Sequence, residues 1–200
     1  MQACDRATTE QFGVPSILLM RAASAAVAEF ARREFPQAKR VTVLCGRGNN
    51  GGDGMMAARL LVEAGLDVTT LLLGAAEDLK GDAAHAWAEL TDPMQGRVHI
   101  VNAAGDLVRH KGALEADLIL DAVVGTGFKP PLKGLALAAL AWLRETRAPI
   151  LAVDLPSGWP ADETSATIAD PVFPADAVVT FTAPKLAHVF GQLKIGRAHV

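Results

Sequence analysis

Cysteine is nearly absent from this chain, with Cys4 and Cys45 the two among 200 residues. They stand too far apart for a metal knuckle and are too few for a disulfide framework, so neither a stapled scaffold nor a structural zinc site is expected. Charge of one sign is missing too. The 22 acidic and 19 basic residues leave a formal charge of -3, which offers no overall pull toward phosphate backbones or anionic lipid. Charge-driven nucleic-acid binding is therefore not expected. Long apolar runs are also lacking, since the longest uncharged apolar stretch, Gly134–Leu143, is about half of the ~18 residues that a membrane span needs. Residues 1–12 carry Asp5, Arg6 and Glu10 in place of a basic patch and an apolar core, so they do not read as a secretory leader. The expectation is a cytoplasmic protein without a membrane partner. Linkers, internal repeats and low-complexity tracts are not found.

What is present suffices for one core. Half of the residues are apolar, at 50%, and a chain of this length can bury roughly 70% of its unfolded surface. Residues 16–35 (SILLMRAASAAVAEFARREF) repeat their apolar positions at helical spacing, with Ser16 as the candidate N-cap. From Val41 the pattern changes to short runs rich in Val, Leu and Ile: VTVLC, DVTTLLL, RVHIV, DLILDAVV, PILAVDL and DAVVTF. Each reads as a buried strand. Helical segments at residues 55–64, 82–90, 107–114 and 135–147 lie between most of them. Strands with few polar positions that alternate with helices predict a parallel sheet covered on both faces, whose ligands lie beyond the carboxyl ends of the strands.

Chemistry is therefore sought in the loops that follow strands. The first strand runs into CGRGNNGGDG, where Gly46, Gly48, Gly51, Gly52 and Gly54 remove Cβ atoms just before a helix. Backbone N–H groups can then approach an anion, and a diphosphate is the natural guest, although tight packing of turn and helix would use glycine in the same way. Asn49, Asn50 and Asp53 go beyond the generic dinucleotide pattern. The acid that would hold a ribose at the end of the second strand is missing, because that strand ends Leu71, Leu72, Leu73, Gly74 and the nearest acids, Glu77 and Asp78, come several residues late.

The second loop belongs to LDAVVGTGFKPPLKG. Asp121 lies in an apolar strand segment and needs a cation or hydrogen-bond donors, because a bare buried carboxylate costs several kcal/mol. Gly125, Thr126 and Gly127 then form a small-residue loop suited to phosphate or ribose, which Pro130 and Pro131 restrict. In the third, VDLPSGWPAD, Asp154 closes an apolar run and Ser157 follows at once. Asp154 can serve as a general base, a ribose acceptor, a cation ligand or a simple turn cap. In the fourth, FTAPKLAHVFG, Lys185 meets either a phosphate, a carboxylate or solvent, and His188 reads as a packed or exposed imidazole.

In this order and spacing, GNNGGDG, DAVVGTGF, VDLPSG and TAPK make the chain resemble the NAD(P)H-hydrate epimerase family, the N-terminal domain of bacterial bifunctional nicotinamide-nucleotide repair enzymes. The resemblance implies a three-layer α/β/α Rossmann-like sandwich with a mostly parallel sheet and an N-terminal helical extension, in one domain over residues 1–194. It implies that Asn49, Asn50, Gly51, Gly52 and Asp53 line hydrated NADH or NADPH. Gly125, Thr126, Gly127, Phe128, Lys129, Pro130 and Pro131 would form a second wall, and Asp154 would touch the reacting ring. Asn50, Asp121 and Ser157 would hold a potassium ion, in keeping with the preference of hard cations for oxygen. The implied reaction is inversion at C6 of the hydrated nicotinamide ring, by loss and return of water or by ring opening and closure. Asp154 is the first candidate acid/base, ahead of Asp53 and Lys185. A homodimer is implied, as is a possible fusion to an NAD(P)H-hydrate dehydratase domain.

Two stretches depart from the family. Residues 160–177 lack the usual glycine-bearing loop, and the final IGRAHV, residues 195–200, reads as a translated sequencing adapter. A gene fragment that lacks its last strand and leaves an exposed sheet edge is the corresponding expectation. Two other readings are an NAD(P)-dependent oxidoreductase with a Rossmann-type site and a non-catalytic binding module on the same fold. The missing ribose acid speaks against the first, and the retained oxygen-bearing side chains against the second.

Overall fold

The computed structural model describes residues 2–91, 97–165, 170–190 and 197–199, with the side chains of residues 2–5 and 197–199 left out. Two helices, α1 (Gln2–Phe12) and α2 (Ser16–Glu34), precede β1 (Arg40–Cys45). Then come α3 (Asn49–Glu63), β2 (Asp67–Leu73), α4 (Gly81–Leu90), β3 (Arg97–Val101), α5 (Ala104–Arg109), β4 (Leu118–Ala122), α6 (Gly134–Leu143), β5 (Ile150–Val153), β6 (Ala177–Thr180), α7 (Leu186–Phe190) and β7 (Arg197–His199). The strands form one sheet of order β3-β2-β1-β4-β5-β6-β7. Every pairing is parallel. Apolar residues at successive positions of a strand bury both of its faces, and the pattern of β4, buried at all five positions, requires a covering layer on each side.

Those layers are two separate cores. Helices α2, α3 and α4 cover one face around Val27, Phe30, Met55 and Leu61. The opposite face is covered by α5 and α6, around Leu107, Leu140, Trp142 and Leu143. Cys45 is fully buried at the end of β1, and burial pushes its thiol up into the protonated form.

Several expected boundaries move. Pro15, with φ -60° and ψ 136°, occupies the N-cap of α2, and Ser16 is its first helical residue. Helix α3 begins at Asn49, not at Met55, because its glycines are needed inside the helix for close packing. A Cβ on Gly54 would come within 2.4 Å of the Ala122 Cβ. Helix α6 stops at Leu143, where Thr146 bonds the Leu114 carbonyl at 2.9 Å and turns the chain toward β5. The expected open edge of β6 is instead paired, in parallel, with β7. Of the other expectations, Ile195, Gly196 and Val200 lie outside the described residues, as do residues 166–169 of the stretch 160–177 that departs from the family.

Candidate active site

Strand order reverses between β1 and β4, and there the chains leaving the two strands diverge and open a crevice. The loops that leave them touch. The Gly46 N–H donates to the Ala122 carbonyl at 3.0 Å, and a Cβ on Gly46 would stand 1.9 Å from the Val123 oxygen. Gly48, in extended conformation, then caps α3, whose first turn offers backbone N–H groups toward the crevice.

Beneath this floor, Asp121 is fully buried. It accepts the Ser157 N–H at 2.7 Å, the Ser157 hydroxyl at 2.5 Å and the Val123 N–H at 3.2 Å. All these donors are neutral, and burial pushes the carboxyl up to about 6 despite them. Ser157 Oγ in turn accepts the Val124 N–H at 2.9 Å, which fastens the loop after β5 to the loop after β4. Asn50 joins the same corner. Its Cβ and Oδ1 lie 3.1 and 3.3 Å from where a Cβ of Gly125 would be, and its buried Nδ2 has no hydrogen-bond partner.

Asp154 stands just beyond β5 in an unusual conformation. Its φ is +69°, and the Leu155 N–H bonds the Val153 carbonyl across it at 2.9 Å, a tight γ-turn. Thr182 beyond β6 repeats the device, with φ +63° and an Ala183 to Phe181 bond of 2.7 Å. Such non-glycine conformations cost about 1–3 kcal/mol each and gather at functional sites. Asp154 Oδ1 accepts the Thr180 hydroxyl at 3.1 Å and pairs with Lys185 Nζ. Lys185 also donates to Thr180 Oγ1 at 2.7 Å and to the Phe181 carbonyl at 3.0 Å. It is 7% exposed, so of its expected environments it meets the carboxylate and not solvent. His188 Nδ1 accepts the Lys185 N–H at 2.9 Å. Burial and then the Lys185 charge lower its pKa, which keeps the imidazole neutral and fixes the lysine turn.

One cavity of about 1180 Å³ runs across the ends of the strands, larger than the ~300–1,000 Å³ usual for drug-sized ligands; Asp121, Ser157, Thr180 and His188 lie behind its lining. Asn49, Asn50, Asp53, Gly125, Thr126, Gly127, Phe128, Asp154 and Lys185 line it. Other expected residues do not. Gly51 and Gly52 serve helix packing, since their Cβ atoms would come within 1.8 Å of the Gly46 oxygen and 2.7 Å of Met20 Cε. Lys129, Pro130 and Pro131 are exposed on the far side of the loop, and Lys133, Gly134, Leu135 and Ala136 at the start of α6 take their place in the wall.

Sequence reasoning missed the end of the cavity over β2 and β3, where Arg47, Gly74, Asp78 and Asn102 lie. A 3-10 turn at Ala76–Asp78 brings Asp78 back to the strand ends, although it follows β2 late in sequence. It missed Thr182 as well, because a strained turn without glycine leaves no compositional trace.

Fold and site together define a dinucleotide-sized binding α/β protein with buried acid/base groups at one end of its cavity. Residues 16–187 match the family described as YjeF-related protein N-terminus, and the chain belongs to that family. It is 38% identical, over its whole length, to the bifunctional NAD(P)H-hydrate repair enzyme Nnr of Moorella thermoacetica, of which it spans 38%. It is also 38% identical, again over its whole length, to the NAD(P)H-hydrate epimerase of Limosilactobacillus fermentum, of which it spans 92%. The crystal structure of yeast ynu0 superposes with a TM-score of 0.82 at 26% identity, covering 96% of this chain and 81% of that one.

Proposed function

We propose that this chain interconverts the R and S epimers of hydrated NADH and NADPH at C6 of the nicotinamide ring, a metabolite-repair isomerase. The observation that carries the reading is the Asp154–Lys185 pair, held by two γ-turns at one end of a cavity whose middle is the glycine cradle. Inversion proceeds by ring opening and closure or by breaking the C6–O bond and reforming it on the other face. By the second route, each passage moves one proton to the departing hydroxyl and takes one from the returning water. Lys185 and Thr180 occupy Asp154 Oδ1, so Oδ2 is the oxygen that meets the substrate hydroxyl. The Lys185 ammonium beside it holds the carboxylate in place for proton exchange. The wall from Gly125 to Phe128 holds the ring, and the α3 N-terminus faces the diphosphate.

The reading includes a potassium ion held by Asn50, Asp121 and Ser157. Asp121 has neutral donors around it, and the orphaned Asn50 amide presents oxygen in place of nitrogen when turned over, an assignment that hydrogen bonding alone decides. These residues fit a hard, oxygen-seeking cation. Bound there, it supplies a fixed positive charge below the diphosphate cradle. A homodimer belongs to the same reading, supported by Phe12 and Leu18, exposed on the two N-terminal helices. So does a cytoplasmic location, where reduced nicotinamide cofactors turn over; no described helix is long and apolar enough to cross a membrane.

The test is a mixture of R and S hydrates supplied to an S-specific dehydratase. Both epimers are consumed when this protein is added, and only S without it. An R fraction that persists at high protein concentration refutes the reading.

A further inference from the structure

At the end of the cavity opposite Asp154, Arg47 leaves the glycine loop and lies across the end of β2. Gly74 makes room for it: with φ +129° and no Cβ, it lets the arginine pass where an added Cβ would come within 2.6 Å of Cδ. Arg47 Nη1 pairs there with Asp78 Oδ2, and both side chains remain about half exposed, at 53% and 54%. Asp82 and Asn102 line the same end. A dinucleotide whose reacting ring lies against Asp154 and whose diphosphate lies at α3 can extend its adenosine only this way.

We propose that the Arg47–Asp78 pair reads the 2′ position of the adenosine ribose and sets the choice between NADH hydrate and NADPH hydrate. The inference rests on the proposed function and deepens it. The Asp78 carboxylate accepts from a free 2′-hydroxyl, whereas the Arg47 guanidinium is, among the described residues at this end, the group suited to clasp a 2′-phosphate by two parallel hydrogen bonds. As built, the guanidinium is engaged by Asp78, and Asp82 adds a second negative charge. One cation against two carboxylates disfavours a dianionic 2′-phosphate, so the wild-type site prefers NADH hydrate.

An exposed pair of this kind contributes little to stability, so substitutions leave the fold intact. Asp78→Asn releases Arg47 and removes the repulsion. Arg47→Ala removes the phosphate ligand, and Arg47→Lys restores part of it. Affinities for adenosine 2′,5′-bisphosphate and for AMP, measured by calorimetry, separate these effects from structural damage, because the two probes differ only at the 2′ position. Asp78→Asn is expected to raise the ratio of bisphosphate to AMP affinity about tenfold, and Arg47→Ala to lower it about tenfold, the effect of one charge-assisted hydrogen bond. In turnover the same variants shift KM for NADPH hydrate relative to NADH hydrate and leave kcat unchanged, since both groups are remote from the ring. Probe ratios that are unchanged in both variants overturn the inference, whatever the epimerase assay returns. A wild-type chain that inverts neither hydrate overturns the proposed function and leaves the probe experiment to decide on the pair.

Discussion

Ser157→Ala removes one oxygen atom from a site with no exposure at all, and its cost follows from the bonds that oxygen makes. The Val124 N–H, now bonded to Oγ at 2.9 Å, is left buried without an acceptor, a loss of about 1–3 kcal/mol. Asp121 loses its 2.5 Å hydroxyl donor, and a hydrogen bond to a charged group is worth about 1.5–3 kcal/mol. The Ser157 N–H to Asp121 bond remains. Together the losses come to about 2.5–6 kcal/mol, a large share of the ~5–15 kcal/mol that holds an ordinary domain. Urea denaturation, with an unchanged slope, measures it. The coupling is sharper than the loss itself. In an Asp121→Asn background the charge is already gone, so the same substitution should cost less by about 0.5–3 kcal/mol. A loss below about 1 kcal/mol, or strict additivity with Asp121→Asn, refutes the claim that this oxygen ties the two loops through the carboxylate.

Asp154→Asn keeps an acceptor for Thr180 and Lys185 but removes the base; epimerase turnover should fall by about 10²–10⁴-fold, while the affinity for AMP stays the same, and near-normal turnover would shift the chemistry elsewhere. Gly46→Ala forces a Cβ onto the Val123 carbonyl, backbone against backbone, so about 1–3 kcal/mol of stability is lost and the β1–β4 junction opens; a neutral effect in denaturation would contradict the close approach. Asp121 holds a proton up to about pH 6 in the fold, whereas the unfolded chain releases it near 3.8. Stability therefore falls as pH rises between these values, by about 3 kcal/mol in a buffer whose only cation is tetramethylammonium. His188, whose pKa is lowered, acts in the opposite sense, so the Asp121 contribution is read as the difference between wild type and Asp121→Asn. Added potassium should abolish that fall, and identical pH profiles with and without it would remove the ion from the reading.

The sheet was legible because parallel strands covered on both faces have few places for polar residues; the largely apolar runs at 41–45, 67–73 and 117–124 carry that constraint directly. The glycine loop was legible as a loop but not as a helix. Gly51, Gly52 and Gly54 look like breakers on propensity, and packing against Gly46, Met20 and Ala122 overrides it. Asp121 was recognised as needing donors, and Ser157 was named with it by resemblance; the bonds that join them depend on the pairing of β4 with β5, since the two residues are 36 positions apart. Arg47 was hidden inside the motif that was read for its glycines. What it does depends on Gly74 and Asp78, which only the β1–β2 pairing and the turn after β2 bring beside it.

The two acids that follow apolar strands, in LDAV and VDLP, look equivalent in sequence, and register is what separates their roles. Asp121 is level with Ala152 on the neighbouring strand, so Asp154 lies two residues further along, about 7 Å nearer the open end at ~3.3 Å per residue. That step takes Asp121 below the floor, where no substrate reaches and where a carboxylate can only be bonded by donors or by an ion. It takes Asp154 to the last bond between β5 and β6, from its N–H to the Val179 carbonyl at 2.7 Å, and just past that anchor the chain adopts φ +69° and turns the carboxylate into the cavity. Neither could exchange tasks with the other: a base at the depth of Asp121 would have no water to meet, and a cation at the rim would compete with solvent for its ligands.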